Sequence, residues 1–155
     1  MGQRERNYLL AAATLHDIGN VIASRARHKH SQYIVNAQDF PFFNEEEKGV
    51  IANIVRYHRS SLPKKTHPEF MALSHPARMT VMKLASLLRI ADSLENSQRQ
   101  NIRKIRFDCD ESGIIIIVDC LEEPFSIENS FNSRKDLFED FFGIKLKLAV
   151  ERTRT

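Results

Sequence analysis

The apolar residues in the first part of the chain recur every three or four positions, which is the spacing of one face of an α-helix. This pattern predicts helices over residues 4–24, 30–38, 44–58 and 76–95. Gly19 lies inside the first of these, and we expect it to bend or end that helix, because glycine is unfavourable in a helix interior. Prolines at positions 63 and 68 predict a loop between the third and fourth helices.

Two of the predicted helices have clear start signals. Asn44 can cap the third helix, and the acidic residues that follow it suit the positive end of the helix dipole. Ser74 is the corresponding cap of the fourth helix. The expected core-facing side chains on these two helices are Val50, Ile51, Ile54, Val55, His58, Val81, Leu84, Ala85, Leu88, Ala91 and Asp92.

After Gln100 the pattern changes from helical spacing to short β-type runs. Strands are predicted over residues 102–107, 114–118, 125–128 and 144–150, with a turn at Ser112 and Gly113. A helix over 133–142, ended by Gly143, interrupts them. The expected fold is therefore mostly α, with an HD-like helical domain over 1–100 and a small α+β subdomain over 101–155.

The composition narrows the class of protein. A chain of 155 residues with 42% hydrophobic side chains is long enough for one compact domain, or for a domain with an appendage. The net charge of +3 is too small to indicate nucleic-acid binding, and no apolar run approaches the roughly 20 residues that span a bilayer. We expect a cytoplasmic protein, with Cys109 and Cys120 as reduced, buried thiols and a disulfide as the alternative.

Basic residues concentrate near the histidines of the first domain. Two interpretations are open: most of these side chains face water, as lysine and arginine usually do, or together they form a rim that attracts phosphate groups. The candidate phosphate-binding residues are Arg25, Arg27, His28, Lys29, Arg56, Arg59, Lys64 and Lys65.

A set of histidine and aspartate side chains has the residue types of a metal site. The candidate ligands are His16, Asp17, His30, His58 and Asp92. Since a divalent ion needs ligands that converge from several elements, the adjacent pair would have to meet partners from later helices. The ordinary alternative is a set of structural histidines, with Asp92 paired to Arg89 one helical turn earlier.

These residues lie in segments that resemble a known family. His16 and Asp17, together with Asp92 in the segment LLRIADSLE, resemble the HD superfamily of metal-dependent phosphohydrolases. The segments AAATLHDIGNVI, RHKHSQY, RYHRSSLPKKTHPEF, KLASLLRIADSLENSQRQNI and RKDLFEDFFGIKLKL resemble, more specifically, the C-terminal part of the Ppx/GppA family. Its members are exopolyphosphatases and guanosine pentaphosphate phosphohydrolases.

The resemblance implies a role in binding more than in catalysis. HD phosphohydrolases carry a further histidine upstream of the pair, and no histidine precedes His16 here. We therefore expect an incomplete metal site, either because the first ligand was lost or because the chain is a fragment lacking its first helix, and we favour the fragment. The family's chemistry belongs to actin-like domains with glycine-rich phosphate loops, and this chain has five glycines and no such loop.

Two functions follow from the resemblance. The favoured one is an accessory domain that binds polyphosphate or a guanosine polyphosphate and supports dimerisation, either with a second copy or with an actin-like phosphatase domain. The alternative is an HD-type phosphohydrolase that uses Mg²⁺, Mn²⁺ or Fe held by the candidate ligands. Neither function involves nucleic acid or a membrane.

Overall fold

The computed structural model describes residues 1–95, 101–120 and 124–152, and the chain divides into two compact units, Met1–Leu88 and Arg89–Thr155. A 3₁₀ turn over Ile18–Val21 follows the first helix. The helices are α1 (Gln3–Leu15), α2 (Arg27–Ala37), α3 (Glu45–Tyr57), α4 (Pro68–Met71), α5 (His75–Leu94), α6 (Pro124–Asn132) and α7 (Asp136–Phe142). The strands are β1 (Ile102–Asp110), β2 (Gly113–Cys120) and β3 (Leu146–Arg152). The predicted mostly helical fold with a small α+β part is confirmed.

Helix α3 lies at the centre of the first unit. Its residues Val50–Val55 are all buried, and the helix packs against α1, α2 and α4. The predicted capping by Asn44 is confirmed, since its side chain accepts a hydrogen bond of 2.9 Å from the Glu47 amide while the Glu47 carboxylate accepts one from the Asn44 amide. Arg4 and Tyr8 of α1 also bind that carboxylate, and these contacts lower the pKa of Glu47 to about 2.

The predicted first helix is wrong in its second half. Helix α1 ends at Leu15, and the chain continues through a 3₁₀ turn, so the His16–Asp17 pair lies at a helix end and not inside a helix. The next helix begins at Arg27, earlier than predicted, which places Arg27, His28 and Lys29 on its first turn. Ala26 before it has a left-handed backbone with φ of 56°.

Helix α5 runs from His75, and the Ala77 amide donates to the predicted cap Ser74 over 3.3 Å. The predicted apolar face is buried at Val81, Leu84, Ala85 and Leu88, while Ala91 is exposed. The two compact units divide between Leu88 and Arg89, inside this helix. The predicted domain boundary near Gln100, where the sequence pattern changes, stays a prediction. None of the described helices is both long and apolar enough to cross a membrane.

The second unit contains a sheet with the strand order β1-β2-β3. Strands β1 and β2 are antiparallel neighbours, whereas β3 pairs with β2 in parallel after the chain has passed through α6 and α7. The side chains of β2 that alternate toward one face, Ile116, Val118 and Cys120, are buried. The predicted boundaries of β1, β2 and β3 differ from the observed ones by a few residues. Gly143 ends α7 with φ of 66°, as predicted.

Two predictions for this unit are wrong. Residues 125–128, predicted as a strand, belong to α6, which begins at Pro124 and buries Phe131 one turn after the half-buried Ile127. Helical spacing of these two side chains therefore outweighs the short alternation that indicated a strand. No disulfide joins Cys109 and Cys120, and only Cys120 is buried, because Cys109 lies on the edge strand β1.

Candidate functional site

Gly19 holds the start of α2 against the turn that carries His16 and Asp17. A Cβ atom at Gly19 would collide with the backbone carbonyl of Arg27 and the backbone amide of Ser31. The Gly19 amide donates to the Ser31 hydroxyl over 2.8 Å, and that hydroxyl donates to the carbonyl of His16 over 2.8 Å. Glycine is therefore required here for close approach, and Ser31 fixes the turn from the neighbouring helix.

The rings of His16 and His58 meet beside Asp17, and we call these three residues the His–Asp cluster. Nδ1 of His16 lies 2.7 Å from the carbonyl oxygen of Ala13, and Nδ1 of the fully buried His58 lies 2.5 Å from that of Val55. Because a carbonyl only accepts, each Nδ1 is the donor, which leaves the lone pair on Nε2. The Nε2 atoms lie 3.7 Å and 3.9 Å from the Asp17 carboxylate.

The donor atoms of the His–Asp cluster suit a metal ion, but the positive charge beside them does not. One donor atom from each of the three residues lies within 4.8 Å of the others, and backbone carbonyls orient both rings, as in many histidine-ligated sites. Two imidazoles and one carboxylate fit Mn²⁺ or Fe better than Mg²⁺. However, Nε of Arg27 lies 3.0 Å from Asp17 Oδ1, so a permanent cation already pairs with the only carboxylate of the cluster.

Among the described residues, the group of converging donors does not include the other two predicted metal ligands, His30 and Asp92. His30 is half-buried on α2 and does not belong to the group of converging donors. Asp92 lies in the second unit, where its carboxylate forms an ion pair with Arg134. Arg89 of the same unit pairs with Asp136 over 3.0 Å. Metal binding by His30 and Asp92 stays a prediction.

Besides burial, five cationic side chains of the first unit lower the pKa of His28, of His67 or of both, and we call them the cationic cluster: Arg27, Lys29, Arg56, Arg59 and Lys64. Burial is the largest cause that lowers the pKa of His28. Four cations lower it further: Arg56, Lys29, Arg59 and Arg27. Burial likewise lowers the pKa of His67, followed by Arg56 and Lys64, while Glu69 acts weakly in the opposite direction. The other two predicted phosphate-binding residues, Arg25 and Lys65, are exposed.

A cavity of about 340 Å³ opens beside this cluster in the loop after α3. Its lining consists of Ser60, Ser61, Leu62, Lys64 and His67. Nδ1 of His67 forms a hydrogen bond of 2.7 Å with the hydroxyl of Tyr57, and the two rings stack with their centroids 5.6 Å apart. The stacking holds the imidazole at the cavity wall, where it stands with hydroxyls and an ammonium group that can all donate to a phosphate oxygen.

Sequence reasoning had given no role to His67, Ser60 or Ser61. The available signal was the segment Ser60–His67 as a whole, which combines hydroxyl, lysine and histidine side chains around a single proline, Pro63. Arg56 is positioned by a hydrogen bond of 2.9 Å from its Nη1 to Gln32 Oε1, and its guanidinium lies 5.8 Å from the centroid of the Tyr57 ring. The cluster is thus tied to buried side chains of α2 and α3.

Comparison with known proteins identifies relatives of the first unit and part of the second. A family model described as Ppx/GppA phosphatase, domain III, matches residues 1–138. The chain is 39% identical over 83 residues to the guanosine-5'-triphosphate,3'-diphosphate pyrophosphatase of Pseudoalteromonas translucida, an alignment that covers 54% of this chain and 16% of the relative.

Proteins with the same name in two other bacteria are also similar. The chain is 30% identical over 86 residues to that of Photobacterium profundum, covering 54% of this chain and 17% of the relative. It is 27% identical over 109 residues to that of Aliivibrio fischeri, covering 64% and 22%. The matched part of the chain thus spans about a fifth of the length of these relatives.

Proposed function

The chain belongs to the Ppx/GppA phosphatase family, and from this membership we propose that it is an accessory, HD-like part of such a phosphatase. In this role it binds polyphosphate or a guanosine polyphosphate at the cationic cluster and assembles with a second copy, without catalysing hydrolysis by itself. The relatives named as guanosine-5'-triphosphate,3'-diphosphate pyrophosphatases support a ligand that carries several linked phosphates.

The observation that carries the proposal is the electrostatic environment of His28. Burial lowers the pKa of this side chain most, and the charged groups that lower it further, Arg56, Lys29, Arg59 and Arg27, are all cations, so the site disfavours one more positive charge. A surface that disfavours a proton favours an anion for the same Coulombic reason. Arg27, His28 and Lys29 also occupy the first turn of α2, which contains no acidic residue, so the positive end of the helix dipole adds to the potential.

The shape of the site supports a chain of phosphates over a single one. Lys29 and Lys64 come from α2 and from the loop after α3, and the cavity beside Lys64 adds two serine hydroxyls. A linear polyanion can contact several such donors at once, and each charge-assisted contact raises the effective concentration of phosphate at the others. Binding of this kind weakens with added salt.

Replacement of two lysines tests this proposal. In Lys29→Ala combined with Lys64→Ala, we expect tripolyphosphate and guanosine pentaphosphate to bind about five- to thirtyfold more weakly at low ionic strength, since each lost contact contributes roughly 0.5–1 kcal/mol. Isothermal titration calorimetry measures the affinity. The matched control is Lys145→Ala with Lys147→Ala, which removes the same charge from β3 and its preceding residue.

The outcomes separate specific binding from general charge attraction. If the control pair loses as much affinity as the test pair, net charge and not the cationic cluster explains binding. If neither pair loses affinity, the site lies elsewhere. Tighter binding of the nucleotide than of tripolyphosphate would indicate that the guanosine contributes contacts of its own.

The orientation of the two imidazoles favours a second candidate, an HD-type phosphohydrolase. His16, Asp17 and His58 would hold the ion, and a bound divalent metal would supply a Lewis acid to the reaction. Elemental analysis of protein purified without chelator, and phosphate release with added Mn²⁺, test this candidate. Stoichiometric metal and turnover that both disappear in Asp17→Asn would establish an enzyme, whereas a metal-free and inactive wild type would reject it.

A further inference from the structure

Strand β1 has an unusual exposure for a strand with apolar side chains. It lies at one edge of the sheet in the order β1-β2-β3, and all of its residues from Arg103 to Asp110 are exposed. Phe107 is 71% exposed and Ile105 44% exposed. Among the described residues only β2 pairs with β1, so the outer edge presents backbone donors and acceptors to solvent.

The apolar side chains of β1 lie on the same face of the sheet as side chains of β2 that are buried. Phe107 lies opposite Ile116 and Ile105 lies opposite Val118, and these two residues of β2 are 3% and 0% exposed. Directly opposite residues of antiparallel strands share a face. The covering layer therefore protects this face at β2 and stops before β1, which leaves an apolar strip beside an open edge.

The sequence of β1 is self-complementary in charge. Its first half carries Arg103, Lys104 and Arg106, and its second half carries Asp108 and Asp110. Antiparallel pairing of two copies brings the positive half of each strand against the negative half of the other. A parallel arrangement would place like charges side by side, which is unfavourable.

We propose that β1 pairs antiparallel with β1 of a second copy of this chain, about a two-fold axis at Phe107. In this register Arg106 of one copy lies opposite Asp108 of the other, and Lys104 lies opposite Asp110. On the other face the two Phe107 rings meet, and Ile105 lies opposite Cys109. Such a contact is closed, because each edge is used once and the pairing ends at a dimer.

Neighbouring registers satisfy the side chains less well. A shift of the axis by one residue to Arg106 would place this side chain opposite its own copy, with two like charges in contact. A slip of one residue, which places the axis between Arg106 and Phe107, would put the charged side chains of each copy on the apolar face of the other. The charges thus select one register, and the apolar strip stabilises it.

This inference names the surface for the assembly that the proposed function includes, and it rests on that part of it. The ligand-binding part belongs to the first unit, and the two can fail separately. A wild-type chain that binds tripolyphosphate but remains monomeric overturns the dimer and leaves the binding proposal standing.

A charge exchange tests the pairing. Sedimentation velocity of the full chain over about 1–100 µM should show a monomer–dimer equilibrium, as expected for a small interface. Arg106→Asp places like charges at both symmetric pairs and should weaken association at least about tenfold. Adding Asp108→Arg to Arg106→Asp should restore it, since the pairs then carry opposite charges again.

A control isolates the contact between copies. Arg106 also forms an ion pair with Glu151 of β3 in the same chain, and Glu151→Gln removes that pair without touching the proposed interface. We expect this variant to dimerise like the wild type. A wild type that is still monomeric at the highest concentration overturns the proposal, as does a dimer that Arg106→Asp leaves unchanged.

A cysteine substitution tests the register directly. In Ile105→Cys the new thiol lies opposite Cys109 of the other copy, close enough for a disulfide across the strand pair. Oxidised glutathione, which accepts the two electrons and two protons, should give a covalent dimer that vanishes when Cys109→Ser is added. Arg103→Cys should give none, and equal crosslinking of both variants would overturn the register.

Discussion

The His–Asp cluster and the cationic cluster both belong to the first unit. The first contains a carboxylate that is paired with a cation, whereas the second consists of cations only. Asp17 has an internal cation, Arg27, at 3.0 Å, and backbone carbonyls orient the histidine rings beside it. The second cluster contains five cations. Burial is the largest cause that lowers the pKa of His28 and of His67, and cations of this cluster lower it further. Arg27 belongs to the second cluster and pairs with Asp17 of the first, so an anion bound at the second would also act on this ion pair.

The residues that identify the family therefore differ from the residues that we propose bind the ligand. The His16–Asp17 pair identifies the lineage of the chain, yet its carboxylate already forms an ion pair with Arg27. Residues outside the motif, such as Lys64 and His67, line the cavity beside the excess charge. Asp92 of the second unit repeats the first situation, since it too is paired with an arginine, Arg134.

Gly19→Ala should produce the largest effect, because it disturbs both clusters. The added methyl group would push α2 away from the His16–Asp17 turn, and the clash involves backbone atoms that cannot move aside. We expect a loss of unfolding free energy of about 3 kcal/mol or more. Chemical denaturation followed by circular dichroism measures it, with the exposed Asn20→Ala in the same turn as the control.

A small effect of Gly19→Ala would mean that α2 is not anchored on this turn. In that case the two clusters would be independent. The affinity for tripolyphosphate of the folded fraction would then remain unchanged as well.

Arg27→Gln should have an intermediate effect and show whether the guanidinium substitutes for a metal. Its ion pair with Asp17 is largely buried, with the two side chains 19% and 20% exposed, so we expect a loss of about 1–2 kcal/mol. Removal of the cation should also strengthen Mn²⁺ binding, visible as a larger thermal stabilisation by the ion. A Mn²⁺ response equal to that of the wild type would show that Arg27 does not compete for the carboxylate.

The pH dependence of ligand binding should give the smallest effect. The pKa of His67 lies below its usual value in the free protein, and a bound anion raises it, so binding takes up a proton. Affinity for tripolyphosphate should therefore rise severalfold as the pH falls from about 8 to about 6, and less so in His67→Asn. The charged and titratable groups around His67 are Arg56, Lys64, Glu69, Lys29 and Tyr57.

A pH profile that is identical in His67→Asn would exclude this imidazole from the site. A profile that rises with pH would contradict the sign of the linkage. Calorimetry in two buffers of different ionisation enthalpy measures the proton uptake independently.

Local signals in the sequence correctly predicted several helix ends. Asn44 with Glu47, Ser74 with α5, and Gly143 after α7 act at the helix ends where they were expected. Each of these signals depends on hydrogen bonds between residues a few positions apart. Such contacts are visible in a sequence because the helix itself sets the spacing.

The sequence did not predict contacts between residues that are far apart along the chain. Nothing in the spacing indicated that Arg27 would pair with Asp17 or Arg134 with Asp92, since the fold and not the helix brings them together. The error at residues 125–128 has a similar origin, because burial of Phe131 decides between helix and strand there. The candidate ligands were thus identified by type, while their partners required the structure.

The most direct test of the central claim is a titration of ¹⁵N-labelled protein with tripolyphosphate, followed by amide chemical shifts. Binding at the cationic cluster predicts that the largest shifts occur in the first turn of α2 and in the segment 60–67, with saturation. Smaller shifts are expected at Asp17, whose partner Arg27 belongs to the cationic cluster. Largest shifts in β1 to β3, or a uniform drift without saturation, would contradict the account.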